Sequence, residues 1–402
     1  MHKASVAVIA VLAAIPGGAT PVAAFHRQTP PIVRLTSSGD DTLPRVAGPR
    51  LTFSADPSHL DPNGYFRPPK GSPFAPVTVS VLRQNWLPRE IELIENGANP
   101  TSSVTGHVIA YEADCSLFVC SPGDTGQQIF LWLDRNLEQV THDPTGTSVN
   151  PALDGLGDLV AFESQGTGAS GSSQIFLATV GPPGSDPTVT QVTQGSGTSR
   201  NAALSLSGAT LVFESTNDNQ GNDTGVSQIW LATTRLAGAP TAITKGAAPS
   251  VSPSISSDGR IVVFASTAAV ASDGHDTGVS QIFVYDTRIR AITQLTDDSA
   301  GCSQPSVDMP HHDWRVAFVC HGVGFFHLLK KQQRFELPIP AGADTASLQA
   351  LPMGSRPNFF TVSTTADLTG GAPVATQPGG GTTSGHQLYL LNLFKVPAIP
   401  VN

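Results

Sequence analysis

Charged residues are scarce in this chain. Asp, Glu, Lys and Arg together make up only 13% of its 402 residues, whereas there are 39 Gly and 33 Pro. Such a composition argues against a helical protein and indicates short strands joined by many turns. The 22 Lys and Arg against 31 Asp and Glu give a net charge of −9. This acidic balance opposes binding to phosphate backbones, so nucleic acid is not an expected partner.

Apolar runs long enough to cross a membrane as a helix are also lacking. The run 4–15 (ASVAVIAVLAAI) is too short for that purpose and follows a single cation, Lys3. Small residues at 22–24 then offer a cleavage site before Phe25, which is the organisation of a signal peptide. A buried strand or a retained anchor is the alternative. The sequence predicts removal of residues 1–24 on export to the periplasm or the extracellular space, with no membrane insertion afterwards.

Only four cysteines are present, and they form two local pairs. Cys115 and Cys120 flank a short loop, and Cys302 comes opposite or nearly opposite Cys320 if the hairpin between them folds about its Pro-His-His turn. In an oxidising compartment this arrangement predicts two disulfides, Cys115–Cys120 and Cys302–Cys320. Free buried thiols are the alternative. The spacing does not match the Cys-x-x-Cys pairs of a metal centre.

A repeating unit accounts for most of the chain. Residues 253–296 contain four short runs rich in Val, Ile, Phe and Tyr, separated by an Asp-Gly turn, a polar loop and a basic turn. A unit of about 44 residues with four antiparallel strands, A to D, is typical of one β-propeller blade. Other copies share a Pro opening strand A, an aromatic end of strand B, Gln-Ile-aromatic in strand C and a Thr in strand D.

The copies predict an all-β protein with a single β-propeller of four-stranded blades over residues 25–402. Seven blades are favoured, and six would remain if the worn copies near Pro44 and Ser347 merged. The blades are expected at about 43–95, 100–142, 150–194, 200–245, 252–297, 304–340 and 346–395. The last copy lacks a strand D, and residues 32–36 offer a spare one. This N-terminal strand is expected to complete the last blade and close the ring.

These copies resemble a known repeat. PSISSDGRIVVFAS at 253–266, followed by DTGVSQIFVYD at 276–286, is similar to the PD40, or WD40-like, repeat of the TolB-type propeller family. The resemblance covers most of residues 33–394 and implies the propeller fold, but that fold carries many functions. Too few residues precede the first blade for the α/β domain found before the propeller in TolB. The chain is therefore not expected to be TolB itself.

Acidic B–C loops provide the candidates for a metal site. Asp218 and Asp223 in one copy, and Asp273 and Asp276 in the next, fall at matching positions and could offer oxygen ligands to Ca²⁺. Asp is also an ordinary turn residue, so solvated turns are the favoured interpretation and no cofactor is expected.

A Gln that recurs at the start of strand C is a further candidate. Because it is repeated, it indicates blade construction rather than one binding site, and its amide is expected to satisfy backbone groups. The copies carry it as Gln128, Gln174, Gln228, Gln281 and Gln387.

The function favoured by these patterns is that of an exported, monomeric and non-enzymatic scaffold. It would bind an unidentified protein or polysaccharide through the face that carries its B–C and D–A loops. The alternative is a carbohydrate-active hydrolase or lyase with a site at the propeller channel, for which no catalytic residue can be assigned. Three or more converging His, Asp or Glu side chains at the channel would favour the enzyme.

Overall fold

The computed structural model describes residues 97–337 with short gaps. It also describes nine strands outside that segment, five before it and four after it. The gaps lie at 105, 117–119, 134–135, 145–147, 166–170, 183–184, 219, 235–237, 272–277 and 309–312. Among these residues no helix is long and apolar enough to span a membrane.

The described strands form seven antiparallel sheets, named sheets 1 to 7 in chain order. Sheet 1 contains β2 (Thr42–Ala47), β3 (Arg50–Ala55), β4 (Val77–Gln84) and β5 (Leu87–Ile94). Sheet 2 contains β6 (Gly97–Ser102), β7 (Val108–Asp114), β8 (Gln127–Leu133) and β9 (Asn136–Gln139). Sheet 3 contains β10 (Val149–Leu153), β11 (Leu159–Ser164), β12 (Gln174–Thr179) and β13 (Thr188–Gln191).

The remaining sheets follow the same order. Sheet 4 contains β14 (Ser199–Leu204), β15 (Thr210–Asn217), β16 (Asp223–Thr233) and β17 (Thr241–Ala242). Sheet 5 contains β18 (Ser250–Ile255), β19 (Ile261–Ser266), β20 (Gln281–Asp286) and β21 (Ala291–Gln294). Sheet 6 contains β22 (Cys302–Asp308), β23 (Arg315–Cys320), β24 (Val323–Leu328), β25 (Gln333–Glu336) and β29 (Ile399–Val401). Sheet 7 contains β26 (Thr345–Ala350), β27 (Phe359–Thr364), β28 (Gln387–Asn392) and β1 (Ile32–Arg34).

The core consists of the interfaces between successive sheets. All six residues of β19 are buried, because strand B is central in its sheet and both of its faces are covered. On one face Val263 packs with Val316 and Phe318 of sheet 6, and on the other Phe264 packs with Val212 of sheet 4. Continuous apolar runs in strand B therefore follow from burial on two sides, and the protein is an all-β propeller, as predicted.

The two ends of the chain each add a strand to a sheet formed elsewhere. β1 pairs antiparallel with β28, with Val33 opposite Leu390, which is the pairing expected of the N-terminal strand. The number of blades in the ring stays a prediction. β29 pairs with β25 as a fifth strand of sheet 6, with Pro400 opposite Phe335. The repeat pattern places the end of the last copy at 395 and does not predict this strand.

Both expected disulfides are present. Cys115 and Cys120 close the B–C loop of sheet 2, with their Cα atoms 5.4 Å apart. Cys302 and Cys320 are direct cross-strand neighbours on β22 and β23, with their Cα atoms 4.1 Å apart. No free cysteine remains in the described part of the chain.

Candidate functional site at the channel and the loop-rich face

The A strands of sheets 2 to 6 line a central channel. A cavity of about 350 Å³ is bounded by these strands and by their A–B turns. Its walls are mostly small and neutral, as shown by Thr101, Ala152, Ala202, Ser252, Pro253 and Ser306. Among the described lining residues Asp154 is the one ionisable side chain, so the three converging groups that would favour an enzyme are not found in this part of the wall.

The side chain of Asp154 stabilises the A–B turn of sheet 3. Its Oδ1 accepts hydrogen bonds from the backbone N–H groups of Gly157, Asp158 and Leu159 at 2.8, 2.8 and 3.1 Å. Burial raises the pKa of this carboxyl, and the three N–H groups act in the opposite direction. One carboxylate oxygen is thus committed to holding the turn.

A bulge in each A strand brings backbone donors to the end of the channel nearest the D–A loops. Asn99, Asn150 and Asn201 occupy equivalent bulges with φ of 48°, 52° and 54°. Asn tolerates this left-handed conformation better than most residues. The bulge turns the backbone N–H of the Asn toward the preceding sheet. The side-chain amide of the same Asn faces its own sheet.

Buried carboxylates link these bulges from sheet to sheet. The backbone N–H of Asn150 donates to Glu112 of sheet 2 at 2.6 Å, and its side-chain NH₂ donates to Glu163 of sheet 3 at 3.1 Å. Asn201 donates likewise to Glu163 at 2.9 Å and to Glu214 of sheet 4 at 2.9 Å. Burial raises the pKa of Glu112 and Glu163, while these hydrogen bonds oppose the rise. These carboxylates and the Asn residues therefore form a relay of hydrogen bonds that connects successive sheets.

This relay was missed by the sequence analysis. Its signal was available, because Asn and Glu recur at intervals of 51 residues in three copies. The relay ends where Ser252 of sheet 5 donates its N–H to Glu214 at 2.8 Å, since the next two copies carry Ala265 and Val319 instead of Glu.

The opposite end of the channel is connected through backbone alone. Val104 donates its N–H to Gly155 O at 2.9 Å, Gly155 donates to Leu206 O at 2.9 Å, and Leu206 donates to Ser257 O at 3.0 Å. A Cβ on Gly155 would overlap the Leu206 side chain, which explains the glycine. Sheets 2 to 5 are thus linked at both ends of the channel.

The recurrent Gln joins strand C to the D–A loop, which confirms the architectural interpretation for the described copies. In sheet 3, Gln174 accepts a hydrogen bond from the Thr193 hydroxyl at 2.8 Å and donates to Gly197 O at 2.7 Å. The same hydroxyl accepts from Ile175 N at 2.9 Å. The equivalent pairs are Gln128–Thr141, Gln228–Thr244 and Gln281–Thr296. The side chain of Gln387 lies outside the described residues.

Of the four Asp residues considered as calcium ligands, the structure describes Asp218 and Asp223. Asp218 Oδ1 accepts from Gln220 N and Asn222 N at 2.8 and 2.9 Å, and Asp223 Oδ1 accepts from Gly225 N at 2.9 Å. The Asn222 amide lowers the pKa of Asp218, and the Thr216 hydroxyl lowers that of Asp223. Both carboxylates therefore stabilise turns.

Asp273 and Asp276 lie outside the described residues, so solvated turns without a cofactor stay the prediction there and calcium binding stays the alternative. One described group, Asp298 with Cys302 and Cys320, has metal-ligand proximity. Its two sulfurs are bonded to each other and are not ligands.

On the loop-rich face, defined as the face carrying the B–C and D–A loops, one hairpin of the described residues continues its strand ladder further than its counterpart in sheet 5 does. β15 and β16 contain 8 and 11 residues, whereas the matching strands β19 and β20 of sheet 5 contain 6 each. Residues 216–227, at the positions of the B–C loop 267–280 in sheet 5, continue the ladder as far as the pair Asn217 and Asp223. This projecting hairpin, residues 210–233, extends beyond the rest of sheet 4.

The projecting hairpin is attached to the D–A loop that precedes sheet 4. Asn217 is buried, and its Oδ1 accepts from Gly197 N at 2.7 Å. Thr198 N donates to the Thr216 hydroxyl at 3.0 Å, and Thr216 N donates to Thr198 O at 2.9 Å. The hairpin is therefore held in place while residues 222–225 at its end stay exposed.

No family model matches this chain, and no curated protein matches it. Solved structures do match. The propeller domain of the Trilobed protease from Pyrococcus furiosus is 10% identical, with 89% of this chain and 94% of that chain covered and a TM-score of 0.55. Acylaminoacyl peptidase from Pyrococcus horikoshii is 11% identical, with 89% of this chain covered and a TM-score of 0.53. The match covers 52% of that peptidase, so this chain spans about half its length.

TolB is also among the matching structures. The protein from Acinetobacter baumannii is 14% identical, with 67% of this chain and 57% of that chain covered and a TM-score of 0.43. At these identities the matches with TM-scores above 0.5 show the β-propeller fold and nothing about activity.

Proposed function

We propose that this protein is an exported propeller scaffold that binds a protein partner through the loop-rich face. The observation that carries the proposal is the projecting hairpin, which is fixed by Asn217 before any partner arrives. A surface that is ordered in the free protein loses less conformational entropy on binding. The two disulfides are consistent with an oxidising compartment, and the proposal places the protein in the periplasm or the extracellular space.

The outer edge of β16 supports a protein partner in particular. β17 has only two residues and pairs with Trp230 and Leu231. Among the described strands, none pairs with the outer edge of β16 at residues 223–226. The N–H groups of Asp223, Gly225 and Val226 donate to side-chain oxygens in exposed contacts, which an extended peptide could replace by adding a strand at this edge.

Site-specific photo-crosslinking would test this proposal. A photoreactive residue at Gln220, on the projecting hairpin, is compared with one at Ile289, which is 67% exposed in a C–D turn on the opposite face. Both variants of the mature protein are incubated with secreted and envelope fractions of the native source. We expect a discrete adduct from position 220 that excess unlabelled wild-type protein abolishes.

A matched variant connects the adduct to the strand edge. Val226→Pro removes the N–H that donates to the exposed Thr224 hydroxyl at 3.3 Å and constrains the backbone of this edge, so it should weaken the adduct at 220 while leaving the melting temperature close to that of the wild type. Equal adducts from 220 and 289, or none from 220, would refute the proposal.

A further inference from the structure

Three side chains with metal-binding atoms meet at the loop-rich end of the interface between sheets 5 and 6. A carboxylate oxygen of Asp298 and the Sγ atoms of Cys302 and Cys320 all lie within 4.8 Å of one another. The cysteines belong to strands A and B of sheet 6, and Asp298 belongs to the D–A loop that precedes this sheet. Because the two cysteines are 18 positions apart, no short cysteine motif marks the group in the sequence.

Blade construction does not require a carboxylate at this position of the D–A loop. The equivalent residues, two positions after the recurrent Thr of strand D, are Asp143, Gly195 and Gly246. In each loop the carbonyl oxygen of this residue accepts a hydrogen bond from the recurrent Gln, so the shared role belongs to the backbone. The carboxylate of Asp298 is therefore an addition to the repeat, placed beside the cysteine pair.

The Asp298 carboxylate is held in position by two contacts. Its Oδ1 accepts a hydrogen bond from Ala300 N at 2.9 Å and lies 3.0 Å from His321 Nδ1. His321 and Gly322 form the two-residue turn between β23 and β24, with φ of 41° and 80°. Asn-Gly is the usual pair in such a turn, so an imidazole there is an uncommon choice. A carboxylate oriented in this way by a neighbouring group is typical of metal ligands.

The group spans the boundary between the core and solvent. Cys302 and Cys320 are 2% and 3% exposed and belong to the apolar cluster that fills the interface between sheets 5 and 6. The side chains of Asp298 and His321 are 26% and 47% exposed. A metal ion bound here would have its sulfur ligands on the core side and an open position on the solvent side.

Reduction of the disulfide is required before the sulfurs can bind a metal ion. A dithiol supplies two electrons and two protons: it becomes a disulfide itself, the bond between Cys302 and Cys320 breaks, and each Sγ gains a proton. Zn²⁺ then displaces both protons and forms bonds to two thiolates and one carboxylate oxygen. Buried thiolates without a cation are unfavourable, so zinc binding would stabilise the deprotonated pair.

We propose that Cys302, Cys320 and Asp298 form a redox-gated zinc site, which is absent in the disulfide form and is created by reduction. His321 is a positioning residue that orients the carboxylate. Three protein ligands leave the fourth position of a tetrahedral zinc ion for water. The site does not involve the projecting hairpin, so its test is independent of the proposed function.

Metal titration of the mature protein in both redox states tests the proposal. The background variant Cys115→Ser, Cys120→Ser leaves Cys302 and Cys320 as the only cysteines. The protein is reduced with a dithiol, which is then removed without oxygen, and Co²⁺ serves as the spectroscopic probe with Zn²⁺ as its competitor. We expect one Co²⁺ per reduced chain, sulfur-to-cobalt charge-transfer absorption, displacement by Zn²⁺ and release of protons. The oxidised protein should show none of these.

Substitutions in the same background assign the ligands. Cys302→Ser, Cys320→Ser should abolish the charge-transfer absorption. His321→Asn keeps a residue suited to the left-handed turn and should weaken zinc binding about tenfold, without lowering the melting temperature of the oxidised protein. Asp298→Asn should weaken zinc binding more than His321→Asn does. The matched control Asp143→Asn removes the equivalent carboxylate of another loop and should leave zinc binding unchanged.

Folding is checked in the same samples, because two thiols of an unfolded chain also bind zinc. The reduced protein should keep the near-ultraviolet circular dichroism of the oxidised protein. Loss of that signal on reduction would overturn the proposal, since the folded site would not exist. Zinc binding that is unchanged by Asp298→Asn, equal zinc binding by the oxidised protein, or no charge-transfer absorption after reduction would overturn it as well.

Discussion

Cys302 and Cys320 lie opposite each other on β22 and β23, in the positions that Ser250 and Ser266 hold on β18 and β19. In sheet 5 the two hydroxyls form a buried hydrogen bond of 3.0 Å. The same hydroxyl pair recurs in sheets 3 and 4 as Ser148–Ser164 at 3.2 Å and Ser199–Ser215 at 2.8 Å. Sheet 6 thus has a covalent bond where its neighbours have a hydrogen bond.

Replacing that disulfide by the pair found in sheet 5 should give a folded but less stable protein. We expect Cys302→Ser, Cys320→Ser to lower the free energy of unfolding by roughly 2 kcal/mol, because closing a loop of this size contributes about 3 kcal/mol and the hydroxyl pair restores about 1 kcal/mol. Urea denaturation measures the change. Cys302→Ala, Cys320→Ala, which removes the disulfide without restoring a hydrogen bond, is the control and should lose about 1 kcal/mol more. Equal losses would contradict this expectation.

The relay around the channel predicts different effects for two chemically identical substitutions. Glu112 uses both oxygens, with Oε1 accepting from Asn99 and Oε2 from Asn150, whereas both donors to Glu163 reach Oε1. Glu112→Gln places an NH₂ against a buried donor and should cost about 1–3 kcal/mol. Glu163→Gln can keep its oxygen toward both donors and should cost less. Thermal and urea unfolding of the two variants compare these costs, and a larger loss for Glu163→Gln would exclude this account.

The Gln–Thr connection can be tested at Thr193, whose hydroxyl donates to Gln174 and accepts from Ile175 N. Thr193→Val keeps the shape and removes both hydrogen bonds, which leaves buried polar groups unsatisfied. We expect a loss of about 1–3 kcal/mol in the free energy of unfolding. Thr193→Ser keeps the hydroxyl and serves as the matched control. A loss for the Ser variant as large as that for Val would show that the methyl group matters instead.

His327 on β24 predicts acid sensitivity. It is 7% exposed, and neither ring nitrogen has a hydrogen-bond partner among the described residues. Burial, and then the positive charge of Arg334, lowers its pKa from 6.5 to about 4, while Asp313 opposes the shift. Above pH 6.5 the ring is neutral in both states. As the pH falls below 6.5 the unfolded chain binds a proton that the folded protein resists, so stability is lost between about pH 6.5 and pH 4.

The size of this effect is about 3 kcal/mol at pH 4. Urea unfolding between pH 8 and pH 4 should show that His327→Leu loses less stability on acidification than the wild type does. His142→Asn replaces a half-exposed histidine on the loop-rich face and controls for the general effect of removing an imidazole. Parallel pH curves for the wild type and His327→Leu would contradict the assignment.

Strand placement followed closely from the repeats. Gln174 to Leu177 was expected in strand C and opens β12, and strand B residues near Phe264 are buried on both sides. The channel relay was harder to predict, because a Glu at the end of strand B is as compatible with an exposed edge as with a buried hydrogen bond. Its meaning depends on the left-handed bulge at Asn150, a conformation that Asn tolerates but that its residue type alone does not place there.

A crevice between sheets 3 and 4 was not predicted at all. Asp158 of sheet 3 and Leu211 of sheet 4 together line this crevice of about 640 Å³, and only the folded chain brings them to one place. The same limit applies to β29, whose short run pairs with β25 for reasons of proximity rather than composition.

The sequence by itself determined the unit of construction, because a propeller blade is specified by local turns, alternating burial and a recurrent Gln–Thr pair. It also determined the two disulfides, since each pair is close along the chain. Tertiary structure alone decided which carboxylates became buried connections and where the C-terminal strand paired. Those outcomes depend on contacts between residues 38 to 67 positions apart, which local turn and strand preferences do not specify.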